Sequence, residues 1–165
     1  MPGFVVSGVG AIGLPLMEIQ AVKLLKRCKD APFKHGAVTI VDKLVRNTFQ
    51  LSPATFKITN PSWTTDLDNI TIRACNGLGV HSHRVEAQLY KLLLYEEGSF
   101  FAPHRDTEKV DDMFGTLVIM LPSKFTGGEL VVNHKGEVKT FNQGSLSNFK
   151  SQFAAFYTDR NHKLK

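Results

Sequence analysis

Thr116–Asn133, TLVIMLPSKFTGGELVVN, contains the fold in miniature. Two apolar runs, Thr116–Leu121 and Gly128–Asn133, are strand-length, and the residues between them, Pro122-Ser123 and Thr126-Gly127-Gly128, are turn formers. Short apolar runs bounded by such residues read as strands. The pattern extends outward: Gln88–Tyr95 (QLYKLLLY) precedes it, and Glu137–Phe141 and Phe153–Tyr157 (FAAFY) follow, broken at Glu97-Gly98, Lys135-Gly136 and Asn142-Gln143-Gly144. Strands this close together leave no room for crossover helices. They predict an antiparallel sandwich or barrel rather than a parallel α/β sheet.

Upstream the periodicity changes. Phe4-Val5-Val6 reads as a strand and is followed by a literal G-x-G-x-x-G at Gly8, Gly10 and Gly13. A dinucleotide site needs that motif between a strand and a helix, with an acidic residue ending the next strand. Here Pro15 follows at once and Asp30 falls at a helix end, so the stretch reads as a glycine-rich entry to a helix. Leu16–Cys28 has apolar residues near helical spacing, with Pro15 before it and Lys26, Arg27 and Lys29 near its C-terminus. Val38–Val45 reads as a strand continued by Thr48–Leu51, and Trp63–Cys75 as a helix closed by Asn76-Gly77. The expected class is α+β in one domain, residues 1–79 forming a helical and strand support for a β core at 80–165.

The bulk numbers narrow the function. The net charge is +5 over 165 residues, but the basic residues are scattered, with nothing denser than pairs such as Lys26-Arg27. That is no basic stripe with interleaved aromatics, and no nucleic-acid partner is expected. Cys28 and Cys75 have neither zinc-knuckle spacing nor the numbers of a disulfide framework. No run reaches the about 18 apolar residues of a membrane span, and no positive segment precedes Phe4. An intracellular protein, cytoplasmic or nuclear, is expected.

The chemistry concentrates in Tyr95–Asp106, YEEGSFFAPHRD. On an extended segment residues i and i+2 share a face, so His104 and Asp106 can grip one ion. With the isolated His162 they make a two-histidine, one-carboxylate set, a donor set that leaves open positions on Fe(II). Together, YEEGSFFAPHRD, FGTLVIMLPSKFTGGELVV and FAAFYTDRNH resemble the Fe(II)/2-oxoglutarate dioxygenases of the prolyl 4-hydroxylase type. LYKLLLYEEGSFFAPHRDTEK is similar to the dioxygenase domain of an uncharacterised fungal subgroup of that family.

The resemblance implies a double-stranded β-helix, or jelly roll, with supporting helices packed on one face. His104, Asp106 and His162 would hold Fe(II), with His104 and Asp106 just after the second core strand begins and His162 on the seventh. Tyr95 would line the pocket for the cosubstrate 2-oxoglutarate, O2 would be the oxidant, and Gly127-Gly128 would turn tightly into a strand. The substrate would be a protein side chain or a small molecule. Arg105 and Asp159 are the nearest candidates to orient the imidazoles, and Phe101 stands where relatives often have tyrosine. The basic residue that pairs with the cosubstrate's far carboxylate would lie beyond His162, on an eighth strand. The sequence ends at Lys165, with Lys163 and Lys165 too close to His162 to substitute. The core is thus expected to be truncated before that residue, leaving unpaired strand edges. Two other readings follow: an inactive remnant serving as a binding module, and a cupin-like metal protein without 2-oxoglutarate. His81-Ser82-His83 with Glu86 resembles a degraded cupin motif, its glutamate one residue too close. His134 reads as an exposed hairpin residue.

Overall fold

The computed structural model describes residues 2–35, 38–81, 85–144 and 147–165. They form a mixed α and β structure, mostly short strands with two α-helices. In the N-terminal half the order is β1 (Phe4–Val6), β2 (Gly10–Ile12), α1 (Glu18–Leu25), β3 (Lys29–Asp30), β4 (Phe33–His35), β5 (Val38–Ile40), β6 (Arg46–Asn47), β7 (Phe49–Leu51), β8 (Phe56–Ile58) and α2 (Trp63–Leu78). The C-terminal half is all β: β9 (Leu92–Leu94), β10 (Phe100–His104), β11 (Gly115–Met120), β12 (Leu130–His134), β13 (Glu137–Phe141), β14 (Gln152–Tyr157) and β15 (Asn161–Leu164).

The N-terminal core is built on β1, which pairs antiparallel with β2 and with β8. Alternation turns Phe4 and Val6 inward, where they pack with Ile12, Leu24, Leu51 and Phe56. The glycine-rich stretch is therefore a β-hairpin and not a helix entry. Gly8 turns it at φ +76°, and a Cβ there would stand 2.9 Å from the Arg27 guanidinium. Helix α1 is shorter than its periodicity predicts. Ile19 (70% exposed) and Val22 face outward, and within the helix only Leu24 is buried. Helix α2 runs past Asn76-Gly77 and stops at Gly79, which takes the left-handed conformation (φ 72°) that closes helices. Its last turn is tied down by the Tyr157 hydroxyl, which donates to the Leu78 carbonyl at 2.7 Å.

The C-terminal half makes a sheet ordered β13-β12-β15-β10-β6 and a separate β11-β14 pair in continuous six-residue register. Leu130 and Val132 of β12 pack with Ala154 and Phe156 of β14, so the apolar faces of these two sheets meet. Strand β9 covers only part of the predicted Gln88–Tyr95. Its partner β7 is three residues long, so the ladder ends at Leu51↔Leu92. Both β7–β9 and β6–β10 join residues before and after position 79, so the N-terminal half contributes strands to the C-terminal sheets. Among the described residues, β15 is not at an edge. It lies between β10 and β12, and the unpaired edges fall instead on strands such as β9 and β11. Among the described residues no helix is long and apolar enough to cross a membrane.

Candidate metal centre

Strand β10 is the axis of the site, with β15 hydrogen-bonded on one edge and β6 on the other. In the β15 ladder His104 stands directly opposite His162, but between Phe101 and His104 the register slips by one residue. This is a β-bulge, and Pro103, which has no N–H to leave unpaired, sits within it. Simple alternation would send Phe101 and His104, three apart, to opposite faces. The bulge instead stacks their rings at 3.4 Å between centroids, 22° from parallel. His104 closes β10 rather than opening it, and Asp106 follows just beyond the strand.

His104, Asp106 and His162 offer three ligand atoms that all lie within 4.8 Å of one another. Each is held by a specific contact. The Thr116 hydroxyl, on β11, donates to Asp106 Oδ2 at 2.6 Å. His104 Nδ1 lies 2.9 Å from the Ala102 carbonyl, and His162 Nδ1 lies 3.1 Å from the Arg160 carbonyl. A carbonyl oxygen only accepts, so each Nδ1 carries a proton and Nε2 is the nitrogen left for a ligand. His162 Nε2 faces Asp106 Oδ2 at 3.8 Å. Fixing the tautomer through the second nitrogen is how proteins prepare histidine for a metal. Burial, reinforced by the neighbouring His162, lowers the His104 pKa to about 4, so its imidazole is neutral near pH 7. The His104 and His162 rings lie 4.1 Å apart, and Phe156 packs on His162 at 4.5 Å. Two imidazole nitrogens and one carboxylate oxygen beside aromatic rings suit a divalent transition metal.

The three residues predicted as ligands thus come together. The Tyr95 hydroxyl faces Arg46 and Thr48, and burial raises its pKa. The predicted orienting pair, Arg105 and Asp159, does not hold the imidazoles; backbone carbonyls do. Asp159 is exposed and pairs with Arg160 at 3.4 Å, and Arg105 lines an open groove with Lys163 and Arg160. Lys165 pairs with Glu129 at 3.8 Å. His134 is half-buried rather than exposed and contacts Arg160. Gly127 and Gly128, at φ 71° and 67°, form the expected tight turn into β12. The second, degraded cupin motif needs His83, which lies outside the described residues.

Two neighbours of the site have no motif. Thr116 sits in an apolar run as an ordinary strand residue. Arg46, 7% exposed, lies opposite Phe101 in the β6–β10 ladder with its guanidinium 4.3 Å from that ring's centroid. Nothing in the sequence ties position 46 to position 101. No known family model matches the chain, and no curated protein resembles it closely enough to count as a relative. The functional reading therefore rests on the site.

Proposed function

We propose that the chain is a non-haem Fe(II) protein of the 2-oxoglutarate dioxygenase type, built on a jelly-roll core. The observation that carries the reading is the convergence of His104, Asp106 and His162 with both Nδ1 atoms engaged by backbone carbonyls. Two imidazoles and a carboxylate leave part of the coordination sphere for a chelating cosubstrate and for oxygen. The path of the chain supports the jelly roll: β10 to β11, β11 to β12, β13 to β14 and β14 to β15 each cross between the two sheets.

When bound, Fe(II) with 2-oxoglutarate would supply dioxygen activation, one oxygen atom going to the substrate C–H and one to the cosubstrate, which becomes succinate and carbon dioxide. The chain's own residues prepare that chemistry. The Ala102 and Arg160 carbonyls orient the imidazoles through Nδ1, Thr116 fixes the carboxylate, and Phe101 and Phe156 keep water from the buried faces of the rings. The substrate is a protein side chain or a small molecule, taken at the open side of the centre.

Anaerobic titration with Fe(II) and then 2-oxoglutarate tests the reading. The expected result is a metal-to-ligand charge-transfer band that is absent from Asp106→Ala. Iron binding with no band would favour a metal protein of cupin type instead.

A further inference from the structure

On the other edge of β10 from His162 lies a buried group of cations with too little negative charge. Arg46 donates from Nη1 to the Pro32 carbonyl at 2.9 Å, but its Nε is buried without a partner. Lys91 is half-buried and donates to Gln50 Oε1 at 3.0 Å. Burial and the charges of Arg46 and Lys109 together depress the Lys91 pKa to about 8. Asp106 is the one carboxylate that acts on both Arg46 and Lys91, and it is already engaged by Thr116 and the imidazoles. Among the described residues no carboxylate lies within ion-pair distance of Arg46 or Lys91. Burying a cation without a counter-charge is costly, so the arrangement suits an anion supplied from outside.

The surroundings specify that anion. A guanidinium offers a planar fork of donors that matches a carboxylate, and the hydroxyls of Tyr95 and Thr48 face the same place. The Arg46 guanidinium lies over the Phe101 ring, and that ring stacks on His104, so the cation is one aromatic ring away from a metal-facing imidazole. We propose that Arg46, assisted by Tyr95 and Lys91, binds the distal carboxylate of a short 2-oxo dicarboxylic acid whose oxo-acid end sits on the metal. This rests on the keto-acid reading of the metal centre.

The test separates metal from anion. Co(II) affinity is measured first by calorimetry, and the cobalt protein is then titrated with 2-oxoglutarate and with pyruvate, which lacks the distal carboxylate. The wild-type protein should prefer 2-oxoglutarate by about 30-fold or more, the scale of a buried charge-assisted pair. Arg46→Gln should keep its Co(II) affinity, lose most of that preference and bind pyruvate nearly as before, and Arg46→Lys should recover part of it. Unchanged 2-oxoglutarate binding in a cobalt-loaded Arg46→Gln would overturn the proposal, as would equal losses for both acids. Should Arg46→Gln not fold, Tyr95→Phe and the wild-type preference decide, and a preference near unity overturns the assignment. If the wild-type cobalt protein binds neither acid, this proposal and the keto-acid reading fail together.

Discussion

The two edges of β10 are built differently. On one, β15 is an interior strand with ladders on both sides, and His162 is 7% exposed between β12 and β10. On the other, β6 is a two-residue edge strand whose Arg46 is held by one carbonyl, one aromatic face and the Tyr95 hydroxyl. The first edge is specified by backbone pairing, and backbone pairing fixes side-chain direction residue by residue. The second is specified by packing and by unbalanced charge, which fix a side chain only once the fold has closed. The metal edge should therefore be rigid and depend on the core, and the cation edge should respond to ligand and pH.

Substitutions can break or sharpen this contrast. Phe156 is buried against Val132 and His162, so Phe156→Ala should cost about 3–5 kcal/mol in chemical denaturation. Phe33, half-buried edge-on to Phe101, is its counterpart beside β6, and Phe33→Ala should cost about half as much. Equal costs would erase the distinction between the edges. Next in size, Thr116→Val removes the hydroxyl that fixes Asp106. It should weaken Co(II) binding by about 10-fold with a stability change within about 1 kcal/mol.

The smallest effect is the pH response of the cation edge. Lys91 titrates at about 8 in the folded chain against 10.5 in the unfolded one, so between these values the unfolded state binds more protons. Stability should therefore rise with pH over that interval, by less than the full shift implies because Lys91 is partly solvated. The groups acting on its charge are Arg46, Lys109 and Asp106, with Tyr90 beneath the ammonium. Keto-acid affinity should fall severalfold as pH rises through 8, and Lys91→Met should remove that slope.

The sequence exposes the metal edge better than the rest for the same reason. His104 and Asp106 are legible because strand alternation is a local rule, and His162 because an isolated histidine follows a run of strand character. The bulge at Pro103 that aligns Phe101 with His104 is not legible, since it exists only as a mismatch between two strands. Arg46 is less legible still: its partner Phe101 is far away in sequence, and the strand that brings them together has only two residues. The N-terminal misreadings share one cause. Apolar spacing marks α1 as a helix, but spacing does not say that Ile19 and Val22 will lack anything to pack against. G-x-G-x-x-G has two structural uses, and the pairing of β2 with β1, which no local pattern encodes, selects the hairpin.

The central claim is that β15 delivers His162 to the same ion as His104 and Asp106. Calorimetric titration of the purified chain with Co(II), wild type against His162→Ala, tests it most directly. One site per chain in the wild type is predicted, with an affinity loss in the variant greater than the about 10–100-fold that outer-shell partners cost. Unchanged stoichiometry and affinity in a folded His162→Ala would contradict the account, because the ion would then be held without β15.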